Sequence, residues 1–262
     1  VAATKREREQ ARKRQEKWER RQAQVRARRR RVFALVAVVA VVALFGGTLV
    51  VSGVAGGLGG AADPTPTPAA ADCPTASTQA RSGGKLPDPA AAEDRSWTAT
   101  VQLCTGSGES DLVVELDGAA APQAVASFVS LADQGYFDGT GCHRLTTSGI
   151  YVLQCGDPTG TGTGGPGYSY GPIENAPEDD VYPAGTIAMA RVGGDGASMG
   201  SQFFVVYEDS TIPSDAAGGY TVLGTVTSGL DAVQAVADAG VAGGAGDGAP
   251  ASPVIIEGVE TQ

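Results

Sequence analysis

Between Trp97 and Val259 apolar and polar residues alternate in short runs, the two-residue period of strands with one buried face. Trp97–Leu103 and Asp111–Leu116 read as two such strands around Thr105–Ser110, a polar turn containing glycine. The period lengthens over Ala121–Gly135, where Val125, Phe128, Val129 and Leu131 lie on or near one helical face. Pro122 suits the first turn of that helix and Gly135 ends it. Tyr136–Gly139 makes a turn into Gly141–Asp157. Three further apolar strands follow at Gly185–Ala190, Ser201–Val206 and Tyr220–Val226, then a second helix at Leu230–Asp238 and a closing strand at Val254–Val259. Pro158–Tyr170 is too rich in glycine for regular structure. Its G-x-G spacing would cradle a phosphate only by opening a helix, which Pro166-Gly167 prevents. Many short strands with two helices far apart in sequence predict a mainly β protein, a barrel with helices over its ends.

Upstream of Trp97 the pattern is different. Val32–Val51 carries no charge over twenty residues, and a helix of that length spans roughly 30 Å, the thickness of a bilayer's hydrocarbon. Residues 32–52 are therefore expected to form a transmembrane helix. The alternative is a cleaved signal peptide with its cut near Ala61-Ala62, but such peptides have a shorter apolar core and a shorter basic leader. Residues 1–31 read as a basic helical segment without Gly or Pro, and residues 53–96 as a Gly/Pro-rich linker, semi-rigid around Pro64, Pro66 and Pro68. The domain that carries the chemistry is residues 97–262.

Charge sharpens that division. The net charge of −10 divides into +10 over residues 1–31 (14 basic, 4 acidic) and −20 beyond them (5 basic, 25 acidic). Arg28–Arg31 abuts the apolar segment, so the positive-inside rule places the N-terminus in the cytoplasm and the acidic domain outside. The basic segment can meet anionic membrane lipid or simply orient the anchor; nucleic acid is not an expected partner. Cys73, Cys104, Cys142 and Cys155 all fall on the outer side, without a C-x-x-C spacing. Disulfides are permitted there, with three possible pairings. Cys142 with Cys155 is the favoured pair, since the two would lie on adjacent strands of a hairpin; free buried thiols are the alternative. Cys73 ties the linker either to the domain or to a second chain.

The chemistry that remains is narrow. His143 is the only histidine, which excludes a multi-histidine metal centre and leaves a Ser-His-Asp triad resting on one residue. There is no G-x-S-x-G elbow and no alternating acidic loop for calcium. No metal and no cofactor are expected. A permanent cation, amide side chains and aromatic rings are left around Gly141–Asp157 and Gly200–Phe204. That set suits rotation about an X–Pro peptide bond, which needs a fixed donor and an apolar grip on the proline ring but no nucleophile.

These stretches resemble the cyclophilin-type peptidyl-prolyl isomerases. The resemblance rests on Ala121-Pro122 with Val125 and Phe128, on His143-Arg144, Gln154 and Gly156-Asp157, and on the run Gly200-Ser201-Gln202-Phe203-Phe204, in that order from Trp97 to Gly258. It implies a closed eight-stranded antiparallel β-barrel with two capping helices, acting on proline-containing polypeptides to assist folding; the topology read above puts that action outside the cytoplasm. By the same resemblance Arg144 is the catalytic guanidinium and Gln154 holds it. Gln202, Phe204 and Ala190 line the substrate groove, and His143 bonds the backbone. Tyr151-Val152, Arg191 and Tyr220 occupy substrate-binding positions with residues that depart from the usual pattern. The hairpin turn at Thr146–Gly149 is also longer, and no Trp-Leu pair stands between Thr211 and Tyr220. A cyclosporin-like ligand is accordingly expected to bind with weakened affinity. The rival reading is a proline-peptide binding or chaperone module with little or no turnover.

Overall fold

In the computed structural model, which describes residues 73–262, the alternating runs become a curled antiparallel sheet. β1 (Ser96–Thr105) and β2 (Gly108–Asp117) form a hairpin that buries Ala99, Val101 and Leu103 of the first strand and Leu112, Val114 and Leu116 of the second. Next come α1 (Pro122–Asp133), β3 (Thr140–Gly141), β4 (Arg144–Thr146), β5 (Val152–Cys155), β6 (Val181–Tyr182), β7 (Thr186–Met189) and β8 (Phe203–Val206). The chain ends with β9 (Ser210–Thr211), β10 (Val222–Ser228), α2 (Leu230–Ala239), β11 (Asp247–Gly248) and β12 (Val254–Thr261). Ten strands share one sheet in the order β11-β4-β5-β8-β7-β10-β2-β1-β12-β3, while β6 and β9 pair separately.

The expected closed barrel of eight strands is not what forms. The edges of the ten-stranded sheet, β11 and β3, are two residues long and unpaired with each other. β3 and β4 are successive pieces of one run along the chain, on opposite sides of the gap between the sheet's ends. Within that run Cys142 N–H donates to the Val254 carbonyl on β12, and His143 N–H donates to the Gln154 carbonyl on β5. That run therefore bonds to β12 at one end and to β5 at the other.

Both predicted helices are present. α1 turns Ala124, Val125, Phe128 and Leu131 inward, and Phe128 packs on Phe137 at 5.1 Å and edge-on to Phe203 at 5.5 Å. Ala121 offers α1 no side-chain cap. The Glu174 carboxylate supplies one from a distance, accepting from Gln123 N at 3.1 Å and Ala124 N at 3.0 Å. A carboxylate there also meets the positive end of the helix dipole.

The expectation of a linker running to residue 96 needs correction for its described part. Residues 73–92 lie along the domain as a strap. A disulfide joins Cys73 to Cys104 on β1. Ser77 N–H donates to the Gly139 carbonyl, and Gly83 N–H to the Pro166 carbonyl, each at 2.8 Å. Arg81 donates to the Tyr136 carbonyl at 2.9 Å. Asp88 caps a 3-10 turn at Pro89–Ala92 whose Ala92 is fully buried. Glycine is required at Gly83, where a Cβ would press on Leu131 and Pro166. Composition misleads here because this packing rests on backbone hydrogen bonds and one covalent link. The expected basic segment, the expected transmembrane helix and the first part of the expected linker (1–72) lie outside the described residues. No helix among the described residues is long and apolar enough to cross a membrane.

Candidate active site

The two faces of the sheet serve different ends because strand side chains alternate. On β8, Phe203 and Val205 point into the main core, whereas Phe204 and Val206 join Val152, Ala188, Tyr182 and Ile212 in a second apolar cluster on the other face. Register then sets one row across four strands: Arg144 on β4 opposes Gln154 on β5, Gln154 opposes Phe204 on β8, and Phe204 opposes Ala188 on β7. The fit between β5 and the Gly200–Phe204 run is close. A Cβ at Gly156, whose φ is +85°, would collide with the Ser201 carbonyl, and Ser201 Oγ donates to the Gly156 carbonyl at 2.7 Å.

Over this row lies a cavity of about 160 Å³ lined by Arg144, Ile150, Val152, Gln154, Ala190, Arg191, Phe204, Ile212 and Tyr220. Phe204 forms its apolar floor, with the Tyr220 ring edge-on at 5.6 Å. A connected amide chain borders it. Arg144 Nη1 donates to Gln154 Oε1 at 3.2 Å, and Gln154 Nε2 donates to Gln202 Oε1 at 2.9 Å. Gln202 Nε2 in turn donates to the Gly162 and Gly164 carbonyls at 3.0 and 2.9 Å. Those carbonyls belong to the Gly-rich stretch after β5, which is irregular but not loose. Asp157, fully buried, gathers it by accepting from Thr159 N and Oγ1, Thr161 N, Gly162 N and Gly164 N. Burial alone would push this carboxyl up, but the hydrogen bonds from Thr159, Gly164 and Gly162 outweigh it and hold the group below the usual aspartate range.

The two arginines of the site differ in what they can still offer. A guanidinium has five N–H donors. Arg191 uses all of them: Nε to the Gly219 carbonyl, Nη1 to Val192 O and Asp215 Oδ2, Nη2 to Asp215 Oδ1 and the Gly218 carbonyl. Its side chain is 1% exposed and lies 4.6 Å from the Tyr220 ring centroid. The expectation that Arg191 donates to a ligand therefore gives way to a wall residue that braces Tyr220 and the 215–219 turn. Arg144 commits Nε and one Nη2 donor to Asp247, at 2.8 and 2.7 Å, and one Nη1 donor to Gln154. One donor on each terminal nitrogen remains available beside the cavity.

Of the other predicted residues, Val152, Ala190, Phe204 and Tyr220 line the cavity, and Gln202 lines an adjoining groove of about 350 Å³ with Gly162–Pro166 and Tyr168. Tyr151 does not line it. Its ring packs against Tyr207 at 6.0 Å, toward the main core. Ile150, Ile212 and Asp247 were not among the predicted site residues. Asp247 stands 103 positions from Arg144, a separation over which no local spacing carries a signal. The structure joins Cys142 to Cys155 as a disulfide flanking the Arg144–Gln154 pair. Among the described residues no group of His, Cys, Asp and Glu is arranged to hold a metal ion.

His143 does not bond the backbone as expected; neither ring nitrogen has a partner among the described residues. Burial lowers its pKa first and the Arg144 charge adds to this, while Asp157 opposes. The folded chain thus holds the imidazole neutral at pH values where the unfolded chain, with a pKa near 6.5, takes up a proton. Stability is full above about pH 6.5 and falls as pH drops from there through the folded pKa. Because the sequence has a single histidine, urea midpoints at pH 7.5 and 5.5 test this directly. The parent midpoint is expected to fall between the two, and that of His143→Gln to change less; equal slopes would refute it.

The fold is thus a curled antiparallel sheet with two helices that sets a half-exposed arginine beside an aromatic-floored cavity. The chain matches the family described as cyclophilin type peptidyl-prolyl cis-trans isomerase/CLD over residues 100–261, and it belongs to that family. It is 46% identical over 189 residues to the probable peptidyl-prolyl cis-trans isomerase B of Mycobacterium tuberculosis, an alignment covering 67% of this chain and 56% of that protein. With peptidyl-prolyl cis-trans isomerase B of Bacillus subtilis it shares 44% identity over 117 residues, covering 45% of this chain and 76% of the relative. The chain thus spans little more than half the length of its mycobacterial relatives. The fold is similar to that of the Cryptosporidium parvum cyclophilin type isomerase in the presence of the dipeptide Ala-Pro. There the TM-score is 0.52 at 28% identity, covering 63% of this chain and 98% of that one.

Proposed function

We propose that this chain is a peptidyl-prolyl cis-trans isomerase acting on X–Pro bonds of polypeptides, and that it needs no metal or cofactor. The observation that carries the reading is the Arg144–Gln154–Gln202 chain of hydrogen bonds set beside the Phe204 floor. Amide resonance opposes rotation with a barrier of about 18–20 kcal/mol. A proline ring seated on Phe204 stays still while the peptide carbonyl turns. The free Arg144 donors face the prolyl nitrogen as it loses conjugation, a stabilisation absent from the planar ground state. Gln154 holds the guanidinium and Gln202 takes the substrate backbone. The Ala-Pro dipeptide named with the Cryptosporidium protein supports a proline-containing ligand here.

The test is isomerisation of a short X–Pro peptide by the chain. Exchange faster than in buffer and saturable in peptide supports the enzyme. Saturable binding with exchange no faster than in buffer leaves a proline-peptide binding or chaperone module, the reading that the fully engaged Arg191 favours. The cellular setting rests on the sequence: residues 32–52 anchor the chain in membrane lipid, residues 1–31 stay in the cytoplasm, and the domain assists folding of exported proteins outside. Release of the chain from membranes by an alkaline carbonate wash would sink the anchor. Tyr220 and Ile212 in the cavity lining support weakened affinity for a cyclosporin-like ligand, which a competition titration measures.

A further inference from the structure

The geometry points to Asp247 as the positioning residue for the Arg144 guanidinium, an assignment that rests on the isomerase reading of the same site. The carboxylate grips the Nε and Nη2 edge with two hydrogen bonds, at 2.8 and 2.7 Å. Gln154 takes a donor on Nη1, so the planar group is held on two sides. A free arginine side chain samples many rotamers, and a donor that must meet a twisting peptide gains from having lost that freedom beforehand.

The loop that presents Asp247 is built for placement. Its base is closed by Ala242 N–H to the Ala249 carbonyl and Ala251 N–H to the Gly240 carbonyl, both at 2.8 Å. Its tip pairs with β4 in a fixed register, Asp247 opposite Thr146 and Gly248 opposite Leu145, with Thr147 N–H donating to Gly246. The carboxylate therefore enters from the strand next to the one that carries the arginine. The pair is not buried: the arginine side chain is 40% exposed and the aspartate 55%. Exposed pairs add little to stability, so its main effect falls on where the two remaining Arg144 donors point. Asp247 also cancels the local charge, so Arg144 acts on substrate as an aimed donor more than as a long-range field.

The experiment compares the full chain with Asp247→Asn and Asp247→Ala. The side-chain amide is nearly isosteric and keeps one acceptor, which guards against loss of fold. In the unliganded parent the Arg144 Nε–H resonance is expected to be shifted and protected from exchange. Asp247→Ala should abolish that signature and lower kcat at least tenfold while KM moves less than about twofold, with Asp247→Asn between. An unchanged Nε–H resonance, an unchanged kcat, or a raised KM with kcat retained would each overturn the assignment. A parent that does not isomerise peptide would instead overturn the isomerase reading, and the resonance would still decide whether Asp247 orders Arg144.

Discussion

Arg144→Ala is expected to lower kcat for X–Pro isomerisation by about 10²–10³-fold, the cost of removing one preorganised donor from an active site, while peptide affinity stays within a few-fold. The split follows from the layout. Affinity for a proline ring comes from the apolar cluster of Phe204, Val152, Ile212 and Tyr220, none of which depends on the arginine for its packing. The guanidinium acts only as resonance is lost. Removing it leaves Asp247 and Gln154 half-exposed and able to find water, so the fold should survive. Arg144→Lys should recover little, since a lysine ammonium cannot satisfy Asp247 and Gln154 together and still aim a donor. Two-dimensional exchange NMR on a peptide populated in both isomers measures turnover, and titration of the same peptide measures binding. Turnover in Arg144→Ala within threefold of the parent would sink the role given to this residue.

Much of this site was legible because strand periodicity is rigid. Once Val152, Gln154 and Phe204 are placed on strands, alternation and register put them on one face. The same rule, applied to Tyr151, turns it away. What could not be read was tertiary. Nothing near Arg191 in sequence says that the 215–219 turn consumes four of its five donors. With 5 basic residues against 25 acidic ones after position 31, carboxylates were plentiful enough to pair with Arg144 and Arg191. Which of the acidic residues would do so depends on loops that close over a hundred positions. The stretch after Asp157 shows the opposite failure: composition predicts irregular backbone correctly but is silent on its order, which comes from one buried carboxylate. The strap misled for a third reason. Proline and glycine forbid regular structure, yet they do not forbid a chain from being pinned by hydrogen bonds and a disulfide.

That strap carries the second large expectation. Cys73→Ser with Cys104→Ser should destabilise the domain by about 3–4 kcal/mol, the loop-closure value for a crosslink spanning 31 positions. For a domain of this size each kcal/mol shifts Tm by about 2–4 °C, so the midpoint should drop by roughly 10 °C. The loss should be local before it is global. Arg81 and Lys85 sit in the strap, so trypsin should cut there in the variant well below its Tm and leave the parent intact. The effect should also reach the site. Gly83 bonds Pro166 and packs on Tyr168, two residues of the groove that Gln202 lines. Freeing the strap removes the support behind that groove, while the Arg144–Asp247 pair on β4 and β11 keeps its own. Peptides extended far enough to lie along Gly162–Pro166 should therefore lose affinity in the variant, and a minimal X–Pro dipeptide should not. Equal loss for both lengths would mean that the crosslink stabilises the whole fold without preferentially bracing the groove.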